Sequence, residues 1–357
     1  MQVDTLEEFR SRLATGPRSL AGWSVHGVDL TGDPDGLAQL PVAGASFLGC
    51  QLDEASADAL RRGGALVYAS LPALPVDPAR RSLYSPGELY DALAAAGSYT
   101  DTLDARAYAW SRGPADTETA LATALHDHAV DTALADWVRG RRLVGVMGGH
   151  ALPRGSSDYA AAAALGRALG TDLTVATGGG PGAMEAANLG ARTAHESADV
   201  LASALQQLAA VPRFHPDPAA WVRAAWDVLE GLGTGRDTLG IPTWHYGHEP
   251  PNPFATAIAK YFHNAQREAV LLQVCDAGIV FLPGAGGTVQ EIFQDACENY
   301  YADESSIAPM VLVGQEYWTE TLPAWPLLRA LARGRAMEQH IHLVDTEVEA
   351  AAIVTGV

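Results

Sequence analysis

The stretch DAGIVFLPGAGGTVQE spans residues 276 to 291 and decides the fold. Its apolar run IVFL is typical of a strand that is buried on both faces. The run ends in Pro-Gly-Ala-Gly-Gly-Thr, and Glu291 follows three residues after Thr288. A glycine cluster between a buried strand and a helix predicts a phosphate-binding turn, with Glu291 as a catalytic acid beside it. The alternative is a structural turn in which Thr288 caps the helix and Glu291 completes a capping box.

The same alternation of strand and helix runs from about residue 140 to the end of the sequence. The predicted strands are 142–149, 172–180, 276–284, 308–314 and 340–346, and the predicted helices are 156–170, 181–194, 252–274, 288–301 and 325–336. Continuous apolar strands separated by helices predict an α/β fold, a Rossmann-like parallel sheet with helices on both faces. Glycine clusters at 148–149, 178–180 and 284–287 fall at the carboxyl ends of strands, where such sheets bind ligands.

The chain divides by composition into two predicted domains. Residues 1–135 are rich in proline, glycine and short apolar runs, and predict a small N-terminal α+β domain of unknown role. Two of its stretches, WSVHGVDLTG and ASFLGCQL, share a loose spacing, but two copies do not establish a repeat. Residues 136–357 form the predicted nucleotide-binding domain, with a helical insertion and a loop at about 197–253. The polar and aromatic loop 234–253, with Trp244, His245, Tyr246 and His248, predicts a lid or binding loop.

Composition excludes several classes of function. The net charge of -19 and pI of about 4.8 argue against binding to nucleic acid or to an anionic membrane. The sequence lacks an apolar run of 18 residues and a recognisable signal peptide, which predicts a cytoplasmic protein. Lys260 is the only lysine, so Schiff-base chemistry is nearly excluded. The cysteines show no metal-binding spacing, and we expect all three to be small buried side chains: Cys50, Cys275 and Cys297.

Several polar residues near the glycine clusters are candidates for ligand contacts, each with a structural alternative. His150 follows the first cluster. It is interpreted either as a ligand contact or as a residue that caps the turn. Glu185, after the second cluster, is a second carboxylate of the site or an ordinary first-turn glutamate. Lys260, His263 or Asn264, and Arg267 have the spacing of one helical face, which is either a cationic stripe over the cleft or a solvated surface.

Four segments together resemble the LONELY GUY family: GGGPGAMEAANLGA, GHEPPNPF, NAQREAVLLQVCDAG and FLPGAGGTVQE. The similarity is greatest to bacterial pyrimidine/purine nucleotide 5′-monophosphate nucleosidases, and it covers about residues 140–357. Members of the family are Rossmann-like phosphoribohydrolases, formerly mislabelled lysine decarboxylases. The resemblance implies hydrolysis of nucleoside 5′-monophosphates to free base and ribose 5-phosphate, without a metal or cofactor, by at least a homodimer.

The resemblance also implies site residues. Arg267 and Glu291 correspond to the family's catalytic pair. The implied substrate-binding residues are His150, Gly179, Gly180, Glu185, Gly284, Gly286, Gly287 and Thr288. Two departures matter: Ala285 replaces a glycine of the signature, and Glu268 stands where plant-type members have a lysine. Because related folds also serve as sensors and carriers, the alternative is a nucleotide- or cofactor-binding protein without hydrolytic activity.

Overall fold

A computed structural model describes residues 1–32, 37, 40–68, 74–78, 80–95, 97–245 and 249–356. The chain forms two compact units. The first unit contains Met1–Arg80 and Gly113–Ala129, and the second contains Arg81–Arg112 and Val130–Val357. The segment 81–112 therefore groups with the later unit, although the sequence suggested a division near residue 135.

The first unit is a short stack of similar turns. Its strands are β1 (Gln2–Val3), β2 (Ser24–His26), β3 (Ser46–Leu48) and β4 (Leu66–Tyr68), and its helices are α1 (Leu6–Leu13) and α2 (Glu54–Arg62). The strands form one parallel sheet in chain order. Ser24 pairs with Ser46, and Ser46 with Leu66, so partners lie 22 and then 20 positions apart.

The turns before β2, β3 and β4 each contain a glycine with a positive φ. Gly22, Gly44 and Gly64 have φ values of +76°, +79° and +86°, a left-handed region that favours glycine. The similarity of the two N-terminal stretches is therefore a structural repeat of the solenoid type.

The second unit is built on a larger sheet. Its strands are β5 (Leu143–Met147), β6 (Thr174–Thr177), β7 (Leu239–Gly240), β8 (Ala257–Ile258), β9 (Ile279–Phe281), β10 (Met310–Val313) and β11 (Ile341–Val344). The longer helices are α3 (Leu103–Ser111), α4 (Thr117–Val138, which spans the division between units), α5 (Ser157–Leu169), α6 (Ala183–Arg192), α7 (Ala198–Leu208), α8 (Pro218–Gly231), α9 (Asn264–Gln273), α10 (Gly286–Tyr301), α11 (Ala324–Ala332) and α12 (Glu347–Thr355). Short helical turns are Pro86–Leu89, Asp91–Ala94, Tyr99–Asp101, Glu304–Ser306, Tyr317–Thr321 and Ala336–Gln339.

The seven strands are all parallel, in the order β11-β10-β9-β5-β6-β7-β8. The chain starts in the middle at β5, moves outward to β8, returns to β9 beside β5, and then moves outward on the other side. This is the doubly wound α/β arrangement, so the predicted Rossmann-like fold is confirmed. The order of strands reverses between β5 and β9.

Close contact between α5 and α6 explains the small residues of both helices. A Cβ at Gly166 would lie 2.1 Å from the carbonyl oxygen of Ala187, and a Cβ at Gly190 would lie 1.8 Å from that of Ala163. The two backbones therefore touch. Their alanines and leucines join the strand side chains Val144, Val175 and Val280 in one buried core.

The predicted helix 252–274 is wrong in its first half. Ala257–Ile258 is a strand, and the helix begins only at Asn264. Lys260 therefore shares no helical face with Arg267. Its side chain is 1% exposed and is paired with Asp104, so the cationic stripe does not exist.

Other predictions have mixed outcomes. The insertion contains the two helices α7 and α8, as expected. Trp244 of the predicted lid is buried instead, whereas Tyr246 and His248 lie outside the described residues. Cys50 and Cys275 are buried, but Cys297 is exposed, contrary to expectation. Within the described ranges, no helix is both long and apolar enough to cross a membrane.

Candidate functional site

A cleft of about 710 Å³ lies where the strand order reverses. Its walls include Gly148 and Gly149, which follow β5, and the turn from Pro283 to Thr288, which follows β9. In doubly wound sheets the carboxyl ends of the strands diverge at this point and leave a crevice for ligands. The fold therefore places the cleft in the usual position of a ligand site.

The cleft brings together most of the residues that the sequence singled out. The predicted residues that line it are His150, Gly180, Arg267, Gly284, Gly286, Gly287, Thr288 and Glu291. Gly179 and Glu185 are not among its lining residues. It also contains residues that were not predicted as site residues, including Gly178, Glu249, Glu268 and Gln290.

The first turn of α10 presents bare backbone to the cleft. Gly286 and Gly287 are its first two residues, and a Cβ at either position would meet no described atom within 4 Å. The first N–H groups of a helix have no partner within the helix and carry partial positive charge. This turn therefore has the properties of an anion-binding site.

The turn does not need a positive φ at Ala285. Its φ is -107°, outside the left-handed region that favours glycine. The hydroxyl of Tyr317 donates to the carbonyl oxygen of Gly284 at 2.6 Å and so supports the turn. The replacement of a signature glycine by alanine is thus compatible with this turn.

Glu291 is not a capping residue. The helix begins at Gly286 with Ala285 as the N-cap residue, so Thr288 lies inside the first turn and Glu291 lies in the second. The side chain of Glu291 is instead paired with Arg267, with 3.5 Å between Oε1 and Nη1. The capping-box alternative is therefore wrong.

Arg267 is held in place by the backbone of the neighbouring strands. Its Nε donates to the carbonyl oxygen of Ile241 at 2.7 Å, and its Nη2 donates to that of Gly178 at 3.3 Å. A Cβ at Gly178 would lie only 2.4 Å from Nη2. Gly178 therefore leaves space for the guanidinium group. The three consecutive glycines 178–180 mark a tight turn in the sequence, but they do not indicate which of them contacts Arg267.

Several ionisable side chains of the described residues line the cleft. They include the carboxylates of Glu249, Glu268 and Glu291 and the guanidinium of Arg267. Burial raises the pKa of the Glu291 carboxyl, Arg267 beside it lowers that pKa, and the charge of Glu268 raises it. A raised pKa favours a group that takes up and releases a proton near neutral pH.

Glu268 is fixed by two side-chain amides. Asn264 Nδ2 donates to its Oε1 at 2.7 Å, and Gln290 Nε2 donates to its Oε2. The residue is 5% exposed. In the sequence, Glu268 could have been predicted as a site residue only from its position next to Arg267. Neighbouring residues at the start of a helix can both line one cleft.

His150 and Glu249 lie near each other on the cleft wall. His150 Nδ1 is 3.6 Å from Glu249 Oε1, and both side chains are partly exposed. His150 follows β5, whereas Glu249 belongs to the chain between β7 and β8. Both are therefore available to a ligand in the cleft.

Gly179 and Glu185 have structural surroundings instead. A Cβ at Gly179, whose φ is +72°, would lie 2.7 Å from Pro242 Cδ, so this glycine allows the chain to pass closely. Both oxygens of Glu185 accept from Arg154 Nε, at 3.1 and 3.2 Å, and both side chains are 1% exposed. Glu185 is thus engaged in a buried ion pair and does not line the cleft.

No family model and no curated protein matches this chain. Among solved structures, the molybdenum cofactor binding protein from the phototrophic bacterium Rippkaea orientalis is 16% identical with a TM-score of 0.37, and the match covers 60% of this chain and 96% of that one. The molybdenum cofactor carrier protein from Chlamydomonas reinhardtii is 17% identical with a TM-score of 0.36, and the match covers 60% and 97%. Likenesses this low carry no argument about what this chain binds.

Proposed function

We propose that the cleft binds a nucleoside 5′-monophosphate and hydrolyses its N-glycosidic bond, which releases the free base and ribose 5-phosphate. The observation that carries the proposal is the relation between Glu291 and the bare first turn of α10. Glu291 lies five residues after Gly286, roughly 7.5 Å along the helix axis. A phosphate at the helix start would therefore bring its ribose towards this carboxylate.

The reaction needs charge stabilisation and proton transfer. Departure of the base leaves positive charge on the ribose, and the ionised carboxylate of Glu291 stabilises it. The same carboxylate accepts a proton from water as the water oxygen bonds to C1′. The bond from C1′ to the base nitrogen breaks and the nitrogen keeps its electron pair. The base nitrogen then takes a proton from solvent, and Glu291 releases to solvent the proton that it received from water.

Arg267 has a supporting role in this proposal. Two of its nitrogens already donate to backbone carbonyl oxygens, and the third faces Glu291. The guanidinium therefore orients the carboxylate and moderates its negative charge. It is poorly placed to be the main phosphate ligand, which leaves that role to the backbone N–H groups of Gly286, Gly287 and Thr288.

Base release from separate nucleotides tests the proposal. Purified protein is incubated with AMP, GMP, IMP, CMP or UMP, and free base and ribose 5-phosphate are measured by chromatography. We expect release from at least one nucleotide and a loss of about 10²- to 10⁴-fold in Glu291→Gln. Glu298→Gln is the matched control, because Glu298 lies on the same helix but does not line the cleft. Release that is equal in Glu291→Gln and the wild type would contradict the proposal.

A second candidate is a nucleotide- or cofactor-binding sensor or carrier without hydrolytic activity. The pairing of Glu291 with Arg267 favours it, because a carboxylate that already accepts from a guanidinium is a weaker base for water. The cleft volume of about 710 Å³ suits a cofactor as well as a mononucleotide. Ligand-induced thermal stabilisation without any release of base would favour this candidate.

We also propose that the working form is at least a homodimer, as the family resemblance implies. Size-exclusion chromatography with light scattering tests this directly, since the chain mass is 37.5 kDa. A monomer at micromolar concentration would contradict it.

A further inference from the structure

A buried hydroxyl binds the turn that holds Arg267. Thr177 is the last residue of β6, and its side chain is buried. Its Oγ1 accepts from the N–H of Gly179 at 3.0 Å. That N–H belongs to the same peptide group as the carbonyl of Gly178, which accepts from Arg267 Nη2 at 3.3 Å. One peptide group is therefore bound by Thr177 at its N–H and by Arg267 at its carbonyl.

The geometry of a peptide group couples these two hydrogen bonds. The N–H and C=O of a trans peptide lie in one plane and point in opposite directions. When the N–H is directed at Thr177 Oγ1, the carbonyl of Gly178 is directed away from that hydroxyl and towards Arg267. Both residues of this peptide are glycines, and the φ of Gly179 is +72°, so no β-carbon restricts its rotation. The hydrogen bond to Thr177 therefore contributes directly to the direction of the carbonyl.

The other carbonyl that holds Arg267 is linked to Thr177 as well. The N–H of Ile241, just after β7, donates to the main-chain carbonyl oxygen of Thr177 at 2.9 Å. The carbonyl oxygen of Ile241 accepts from Arg267 Nε at 2.7 Å. Thr177 is thus bonded to both segments that supply backbone acceptors to Arg267, to one through its side chain and to the other through its main chain.

Two buried asparagines complete the surroundings of the hydroxyl. Because Thr177 Oγ1 accepts from Gly179, its own proton is available to Asn188 Oδ1, at 2.8 Å. Asn252 Nδ2 donates to the same Asn188 oxygen at 3.0 Å and to the carbonyl oxygen of Gly180 at 3.2 Å. The main-chain N–H of Asn252 donates to the carbonyl oxygen of Gly179 at 2.8 Å. A buried polar network with satisfied hydrogen bonds specifies one arrangement of its members, and here it specifies the direction of the Thr177 hydroxyl.

We propose that Thr177 is a positioning residue for Arg267 and, through it, for the carboxylate of Glu291. The hydroxyl keeps the Gly178 carbonyl directed at the guanidinium, and Arg267 Nη1 lies 3.5 Å from Glu291 Oε1. Without the hydroxyl, the Gly179 N–H loses this acceptor, the peptide group rotates, and Arg267 loses one backbone acceptor. The effect on catalysis rests on the proposed function, whereas the effect on Arg267 does not.

Hydrogen exchange at the Arg267 Nε–H tests the inference without requiring hydrolysis. Thr177→Val keeps the shape of the side chain and removes the hydroxyl, whereas Thr177→Ser keeps the hydroxyl. NMR of protein with isotope-labelled arginine measures the exchange, and Arg267→Lys assigns the signal. We expect exchange to be about tenfold faster in Thr177→Val than in the wild type, and unchanged in Thr177→Ser. Exchange in Thr177→Val at the wild-type rate would overturn the inference.

Thr193→Val is the matched control. Thr193 is also buried, and its hydroxyl donates to the carbonyl oxygens of Leu189 and Gly190 at the end of α6. The variant removes a buried hydroxyl that is not bonded to the turn, so exchange at Arg267 should stay at the wild-type rate. Equal acceleration in Thr193→Val and Thr177→Val would show a general loosening and would contradict the inference. If Thr177→Val does not fold, Thr177→Ala is compared with Thr177→Ser, since the two differ by the hydroxyl alone.

Steady-state kinetics connect the position of Arg267 with turnover. We expect kcat for nucleotide hydrolysis to fall by about tenfold to 100-fold in Thr177→Val and to stay near the wild-type value in Thr177→Ser. Affinity for ribose 5-phosphate should be retained in both, because the first turn of α10 is unchanged. A general loss of structure would instead lower affinity and kcat together.

The outcomes separate this inference from the proposed function. Faster exchange at Arg267 in Thr177→Val, in a protein that hydrolyses no nucleotide, would refute the hydrolase and leave the inference for Arg267 supported. Hydrolysis by the wild type, with exchange and kcat both unaltered in Thr177→Val, would do the reverse. Faster exchange with an unaltered kcat would overturn the link from Arg267 to Glu291.

Discussion

Lys260 Nζ donates to Asp104 Oδ1 at 2.6 Å, although 156 positions separate the two residues. The same oxygen accepts from Trp244 Nε1 at 2.8 Å, and the ammonium group lies 5.1 Å from the centre of the Trp244 ring. All three side chains are buried. Burial lowers the pKa of Lys260, and the charge of Asp104 raises it. This network attaches α3 to the chain around β8, close to the loop that carries Glu249.

Lys260→Met should destabilise the protein strongly. The change leaves the buried Asp104 carboxylate without its cation, and breaking a buried pair from one side costs about 3–5 kcal/mol. Arg139→Met is the control, since it removes the exposed pair with Asp136, which contributes at most about 1 kcal/mol. Urea unfolding measures both. A loss below about 1 kcal/mol in Lys260→Met would show that the pair contributes little.

Gly178→Ala should displace Arg267. The new Cβ would lie 2.4 Å from Nη2, so the guanidinium must move and its alignment with Glu291 is lost. We expect a loss of stability of about 1–3 kcal/mol and a fall in base release nearly as large as in Glu291→Gln. The assay is the nucleotide panel, combined with thermal unfolding. Base release at the wild-type rate would mean that the position of Arg267 is not important.

Gly287→Ala should separate folding from binding. A Cβ there meets no described atom within 4 Å, and alanine in a helix is favoured over glycine by up to about 1 kcal/mol. Stability should therefore stay equal or rise, while affinity for ribose 5-phosphate falls because the methyl group occupies the anion-binding turn. Gly231→Ala, at a similarly open position in α8, should leave affinity unchanged. Undiminished affinity in Gly287→Ala would place the phosphate elsewhere.

Asp295 should make the protein less stable as pH rises. Burial raises its pKa to about 8, and the charge of Glu298 contributes to the increase. Its Oδ2 accepts no hydrogen bond in the described part of the chain. Because the folded state holds a proton that the unfolded state releases near pH 4, the stabilising effect is complete below pH 4 and is lost as pH rises towards 8.

Asp295→Asn removes this dependence. We expect wild type and variant to be similar in stability near pH 4, and the variant to be more stable at pH 8 by at least about 2 kcal/mol. Thermal unfolding from pH 4 to pH 8 measures this difference. The exposed Asp227→Asn serves as the control. Parallel curves for Asp295→Asn and wild type would contradict the assignment.

Five strands of the sheet in the second unit were predictable because they are rich in apolar residues, whereas the two-residue strands β7 and β8 were not predicted. Runs such as that around Val280 are buried on both faces, and local sequence is sufficient to identify them. The first half of the helix predicted at 252–274 failed for the opposite reason. The conformation around Lys260 depends on its ion pair with Asp104. A local sequence pattern cannot predict a partner that lies 156 positions away in the chain.

The site was predictable where glycines mark it and not where side chains meet across helices. Gly286 and Glu291 lie in the first and second turns of the same helix, so the sequence places them near each other. Glu185 also follows a glycine cluster, but its carboxylate forms a buried ion pair with Arg154. Whether a carboxylate faces a cleft or an arginine is decided by tertiary packing.

The stacked turns of the first unit have an evolutionary consequence. In the described part of this unit, each strand pairs with the strands next to it in the chain, as Ser24–His26 does with Ser46–Leu48. In such a one-dimensional array, stability is roughly a sum over single turns and their contacts. Loss or duplication of a block of about twenty residues keeps the register of the remaining turns, so relatives of this protein can differ in length here by whole turns while the cleft of the second unit stays the same.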